Sequence, residues 1–199
     1  MRLLIFWDSI IEWYYDFEKW GWANMLKVYL WQKNNWIDVG VLWISWDEIP
    51  DILKRFDVNT KSFTEKYNDE TAFIFAVWIN DSVTNIDWTK NLYSLENFEK
   101  NLEKLILKAK KYNPKFIKFI WLTNVNEKLV SPLPVSTTWK CYKNERIKKF
   151  DEILKKVSQK NECEYLEIFW IFENSDLEDW LHPNFKWHKK IFEKVKEFI

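Results

Sequence analysis

The run Thr71-Ala72-Phe73-Ile74-Phe75-Ala76-Val77 limits this chain more than any other stretch. It carries no charge, is short for a buried helix, and is rich in aromatic and β-branched side chains. Those traits read as a strand covered on both faces, which is the habit of a parallel sheet. Parallel neighbours need crossover connections, normally helices. The rest of the chain supplies both parts.

Residues 2–6, with Leu3, Leu4, Ile5 and Phe6, read as a first strand, residues 37–42 as a second, 116–122 as a fourth and 165–169 as a fifth. Between them the apolar spacing turns helical. Met25, Leu26, Tyr29 and Leu30 predict a helix over 22–31, and Ile49, Ile52, Leu53 and Phe56 one over 48–56. Phe98, Leu102, Leu105, Ile106 and Ala109 predict a long one from Ser94 to about Tyr112. Its start signal is partial, because Asn97 stands where a capping box carries Glu or Gln, and Asn113-Pro114 ends it. Further helices are expected over 144–160 and 185–199. This alternation predicts an α/β fold: a three-layer, flavodoxin-like sandwich with a central, mainly parallel five-stranded sheet, helices on both faces, and a single domain over 1–199. The loop 124–139, with Pro132 and Pro134, is long enough to wall a substrate pocket.

Charge narrows the partners. Lys+Arg and Asp+Glu are both 30, so no single-sign field points to nucleic acid or an anionic membrane. No apolar run reaches the ~18 residues of a membrane span, and Met1-Arg2 leads straight into a strand, so a cytoplasmic protein is expected. Cys141 and Cys163 are too few for a disulfide framework and lack metal-type spacing, which reads as two reduced thiols. No phosphate-cradling glycine loop or dinucleotide fingerprint is present, and neither metal nor cofactor is expected.

Two residue types are out of proportion. The chain has two glycines and fifteen tryptophans, where average usage would give about 14 glycines. Several tryptophans stand where turn chemistry asks for glycine, in Ser45-Trp46-Asp47, Asp87-Trp88-Thr89, Asp179-Trp180 and Lys186-Trp187-His188. An aromatic-rich core is the plain alternative. A gene whose UGA codons are read as glycine in its source, but written as tryptophan, would produce the same pattern.

Three predicted strand ends share one edge of the sheet: Asp8-Ser9, Ser45-Trp46-Asp47 and Asn80-Asp81. The loop Asp179-Trp180-Leu181-His182-Pro183 follows the fifth strand and can reach the same edge. Acyl transfer needs such a set: a nucleophile, a base, an acid that orients the base, and donors for a developing oxyanion. Asp8 can equally be a turn former and Asp81 a helix cap. His188 reads as an exposed or capping residue of the last helix, and a metal site from His182 and His188 lacks a third ligand.

These blocks resemble the SGNH, or GDSL-type, hydrolase family nearly from end to end. The family's Gly-Asp-Ser looks like Trp7-Asp8-Ser9, its second-block glycine like Trp46, its Gly-x-Asn-Asp like Trp78-Ile79-Asn80-Asp81, and its Asp-x-x-His-Pro is met by Asp179, His182 and Pro183. A later Gly-His is similar to Trp187-His188. The departure is uniform, tryptophan for glycine, although Trp22 looks similar to a tryptophan the family itself carries. The resemblance implies a serine esterase or acyl hydrolase with Ser9 as nucleophile, His182 as general base and Asp179 as its orienting acid. The oxyanion donors it implies are the backbone N–H groups of Ser9 and Trp46 and the side-chain amide of Asn80, acting on a small ester. If the tryptophans at 7, 46 and 78 are genuine, a catalytically impaired binding module on the same fold is the alternative. A mononucleotide-binding or signalling domain is a third, but gives Asp179 and His182 nothing to do.

Overall fold

The apolar run at the amino terminus forms β1 (Arg2–Trp7). It sits inside a five-stranded sheet with β2 (Asp38–Trp43), β3 (Thr71–Ala76), β4 (Ile117–Ile120) and β5 (Glu164–Leu166) in the order β2-β1-β3-β4-β5. Every strand pairing in this computed structural model is parallel. It describes residues 1–8, 19–33, 37–65, 69–76, 79–85, 93–121, 123–134, 140–169, 171, 181–182 and 184–199. The strand order is the flavodoxin-like doubly wound one, in which the chain reverses direction between β1 and β3.

Period-two alternation gives β1 two different faces. Register aligns Phe6 with Phe75 and Phe75 with Phe119, so these rings form a row across the sheet, with centroids 5.5 Å and 5.4 Å apart. Phe56 of α2 (Ile49–Thr64) covers that row, 5.2 Å from both Phe6 and Phe73. Such ring pairs add about 0.5–1.5 kcal/mol each beyond area burial. Trp7 points to the opposite face and meets Trp22 edge-on at 4.4 Å.

Trp22 belongs to α1 (Gly21–Gln32), which packs against α5 (Phe185–Phe198). On the other side α2 packs on α3 (Leu95–Lys110), and α3 on α4 (Asn144–Lys160). Right-handed crossovers place successive helices on these two faces. The expected apolar residues of α3, from Phe98 to Ala109, are all buried. Ser94 caps it, its hydroxyl oxygen accepting the N–H of Asn97 at 3.1 Å, so the partial signal was sufficient.

Three expectations are corrected. The helix expected to stop at Phe56 runs on to Thr64, because Thr60 and Phe63 continue the inward stripe among polar neighbours that hid it. Phe63 fits there because Gly40 has no side chain; a Cβ at 40 would lie 2.9 Å from its ring and 2.8 Å from Leu4. Strands β4 and β5 are shorter than their apolar runs, since pairing at that edge of the sheet ends near Ile120 and Leu166. His188, expected at the surface, is fully buried one turn inside α5, its ring edge-on to Trp187 at 5.5 Å.

Candidate active site

All five strands of a parallel sheet present their carboxyl ends at one rim, where doubly wound folds bind ligands. β1 delivers Asp8, fully buried. β2 leads through Ile44 and Ser45 to Trp46 and Asp47. β3 leads to a short 3-10 turn, Asn80–Ser82, buried throughout. The third of these segments is held against the second by side-chain to backbone bonds.

Asn80 is the clearest case. Its Nδ2 donates to the carbonyl oxygen of Asp47 at 3.1 Å, and its Oδ1 accepts from the Tyr142 hydroxyl at 3.4 Å. A primary amide has two N–H bonds, so one is committed to the loop that carries residue 46 and one remains. Asp81, next in sequence, accepts the backbone N–H of Ile49 at 3.2 Å and 3.4 Å on its two oxygens. Ile49 opens α2, and a helix start leaves N–H groups without intrahelical partners. Asp81 is therefore a helix cap, but of α2, 32 residues upstream, and not of its own turn.

The loop between β2 and α2 is fixed from the other side too. Arg55 donates from Nε to Asp47 at 2.7 Å and from Nη2 to the carbonyl of Leu42 at 3.1 Å, which ties both ends of the loop to α2. Glu48 and Asp51 close a reciprocal capping box at the helix start. A sequence scan for Ser or Thr at the cap passes over it.

Burial sets the electrostatics of this rim. Loss of solvent pushes the Asp81 carboxyl well above the usual range, and the nearby acids Glu48 and Asp8 push the same way. Desolvation likewise raises Asp47 against the pull of Arg55, and raises Glu48 with help from Asp51. The Tyr142 hydroxyl is raised by burial and then by Asp8 and Glu48, so it is a neutral donor at any working pH.

Position 46 has the left-handed backbone, φ 68°. For an L side chain that conformation costs about 1–2 kcal/mol, and for glycine nothing comparable. The Trp46 ring lies at the surface under the Lys140 ammonium, 4.2 Å from centroid to Nζ. Trp7, by contrast, is in the core. The bulk invoked for an impaired binding module is thus spread over two environments, and Trp78 lies outside the described residues.

Of the expected triad, His182 is buried beside Leu181, with 6% exposure. Ser9 and Asp179 lie outside the described residues. The structure therefore brings Trp46 and Asn80 together through Asp47, with Asp8 and Asp81 beside them. Among the described residues no cluster of three His, Cys, Asp or Glu side chains could hold a metal ion. Sequence reasoning missed Tyr142, Arg55 and Glu48. Arg55 sits two helical turns beyond the loop it ties down and carried a weak signal; Tyr142, 62 positions from Asn80, carried none.

Solved structures with this fold include a lipase/acylhydrolase from Enterococcus faecalis, with 19% identity, TM-score 0.72, and 100% of this chain and 94% of that one covered. An acetyl xylan esterase matches at 17% identity and TM-score 0.73, covering 100% of each chain. A psychrotrophic esterase from Pseudoalteromonas sp. matches at 17% identity and TM-score 0.70, over 99% of this chain and 97% of that one. By sequence, no curated protein matches. The profile of GDSL-like lipases and acylhydrolases matches residues 3–195, from the first strand through the last helix. The blocks and the sheet that carries them fall within that single match, and the chain belongs to the GDSL-like lipase/acylhydrolase family.

Proposed function

We propose that the protein is a serine esterase that hydrolyses a small ester through Ser9, His182 and Asp179. His182 takes the proton of the Ser9 hydroxyl as its oxygen attacks the ester carbonyl carbon. The resulting oxyanion is met by the backbone N–H of Ser9, the backbone N–H of residue 46 and the free N–H of Asn80. Collapse expels the alcohol, which leaves with the proton held by His182. A water then gives its proton to His182 and attacks the acyl-enzyme, releasing the acid and restoring Ser9. Asp179 orients the imidazole and balances its charge while it is protonated.

One observation carries this reading beyond family membership: Asn80 is bonded to the carbonyl of the residue next to 46. Two donors from different strands are thereby held as a unit before any substrate arrives, which is the condition for electrostatic stabilisation of an oxyanion. The buried free thiols Cys141 and Cys163 agree with a reducing cytoplasm as its location.

A short-chain aryl ester assay with a serine-directed phosphonate tests the assignment. Wild type turns over and is labelled once; Ser9→Ala loses both turnover and label. Labelling of Ser9→Ala at another residue would move the nucleophile elsewhere.

A further inference from the structure

We propose that Tyr142 is a positioning residue for Asn80, and that its hydroxyl both fixes the tilt of the amide and polarises it toward a developing oxyanion. The proposal rests on the reading of Asn80 as an oxyanion donor. Three features of the structure support it.

First, Tyr142 is fully buried and its hydroxyl points at Asn80 Oδ1. Second, its backbone is strapped on both sides. Thr84 and Cys141 exchange N–H to carbonyl bonds at 3.0 Å and 2.9 Å, and the carbonyl of Tyr142 accepts from the Ser131 hydroxyl at 2.7 Å. The strap lies two residues beyond the 3-10 turn that carries Asn80, so ring and amide move together. Third, Asn80 is held at both ends of its amide, and the hydroxyl bond is the one that polarises its remaining N–H. The Asp47 carbonyl accepts from Nδ2 and the hydroxyl donates to Oδ1. A donor on the amide oxygen draws electron density from the nitrogen and strengthens the remaining N–H as a donor. That gain appears only when charge develops on the substrate, so it belongs in kcat and not in KM.

Tyr142→Phe keeps the ring and removes the donor. The expected result is a fall in kcat of about three- to tenfold, in keeping with the net worth of one hydrogen bond, with KM and Tm close to wild type. In an Asn80→Ala background the same substitution should cause no further fall. Full kcat in Tyr142→Phe overturns the proposal, as does an equal fall with and without Asn80. Should the phenylalanine variant not fold, 4-aminophenylalanine and 4-fluorophenylalanine at 142, one with a donor and one without, give the same comparison. Failure of the esterase reading is separate: there Ser9→Ala would keep turnover.

A different observation carries a second inference. We infer that positions 20 and 46 are glycine in the protein the cell makes, through UGA codons read as glycine. Trp20 (φ 61°) and Trp46 (φ 68°) are two of the four described non-glycine residues with positive φ, and Trp20 is followed by Gly21 at φ 81°. The other two, Asn113 and Glu162, follow the ends of α3 and α4, where a single left-handed residue is ordinary. Two consecutive positive-φ residues at a helix start, a tryptophan at the N-cap and then the first helical residue Gly21, are not. Reading the codons at 20 and 46, with peptide mass spectrometry of the protein from its source, decides it. UGA codons with glycine masses are expected; UGG at either position, or tryptophan in the peptides, overturns the inference.

Discussion

The two ends of the sheet are built on opposite electrostatic rules. At the amino ends of the strands each buried cation is matched. Arg2 lies between Asp38 at 2.6 Å and Asp69 at 3.3 Å. Lys118, 7% exposed in its side chain, reaches Glu164 at 3.1 Å and the carbonyl of Phe198, and its ammonium lies over the Phe116 and Phe198 rings. At the carboxyl ends, acids gather instead. Glu48 and Asp8 are close enough to raise Asp81, and the ion pair of Arg55 with Asp47 serves the loop and not Asp81. Matched charges hold an end shut; gathered acids under burial are a cost to folding, which proteins accept at working sites.

That contrast can be broken from either end. The largest effect is expected at the carboxyl rim, where Asn80→Ala should lower kcat by ~10² to 10³ by removing one oxyanion donor. Ester turnover at saturating substrate measures it, and full kcat would remove Asn80 from the role. At the opposite end Lys118→Ala should leave kcat unchanged and cost roughly 1–3 kcal/mol in a urea titration, because the Phe198 carbonyl loses its donor. A fall in kcat of the same size as at Asn80 would mean that the two ends are not independent. Asp81→Ala should cost about 1 kcal/mol by leaving the Ile49 N–H without its cap, while Asp81→Asn, which keeps an acceptor, should cost less. Greater loss in the asparagine variant would show that the carboxyl itself stabilises the rim.

The smallest test uses an acid that belongs to neither end. Asp151 of α4 accepts from the Tyr165 hydroxyl, and burial pushes its carboxyl up to about 6. A raised carboxyl binds its proton more tightly in the folded chain than in the unfolded one. Its contribution is present below the unfolded value near 4 and is lost as pH rises through about 6. Asp151→Asn should flatten the stability profile over that interval by under about 1 kcal/mol, since the carboxyl keeps some contact with water. Thermal melts at pH 4, 5, 6 and 7 would reveal it; an unchanged slope would separate Asp151 from the pH dependence.

Much of the architecture was legible without coordinates because it follows from local periodicity. The uncharged run at 71–77 reads as a central strand, and β3 takes Thr71–Ala76 of it; the expected range of α4, residues 144–160, was met at both ends. Misjudged ends share one cause. Phe63 packs beside Gly40 of β2, and β4 and β5 stop where pairing stops, neither of which is a property of the segment itself. His188 was misplaced for the same reason: a polar residue in a lysine-rich helix gives no sign of which face the sheet will cover.

The order of strands and helices, the family, and the expectation of Asn80 and residue 46 at one rim were readable along the chain, since all of these depend on neighbours a few positions apart or on blocks in a fixed order. Folding in three dimensions is what brings Tyr142 to Asn80, sets Asp81 as the cap of a helix far upstream, and gives Trp46 a left-handed backbone. Those depend on contacts between segments many residues apart, and on a backbone angle imposed by the turn between β2 and α2, for which side-chain pattern along the chain carries no record.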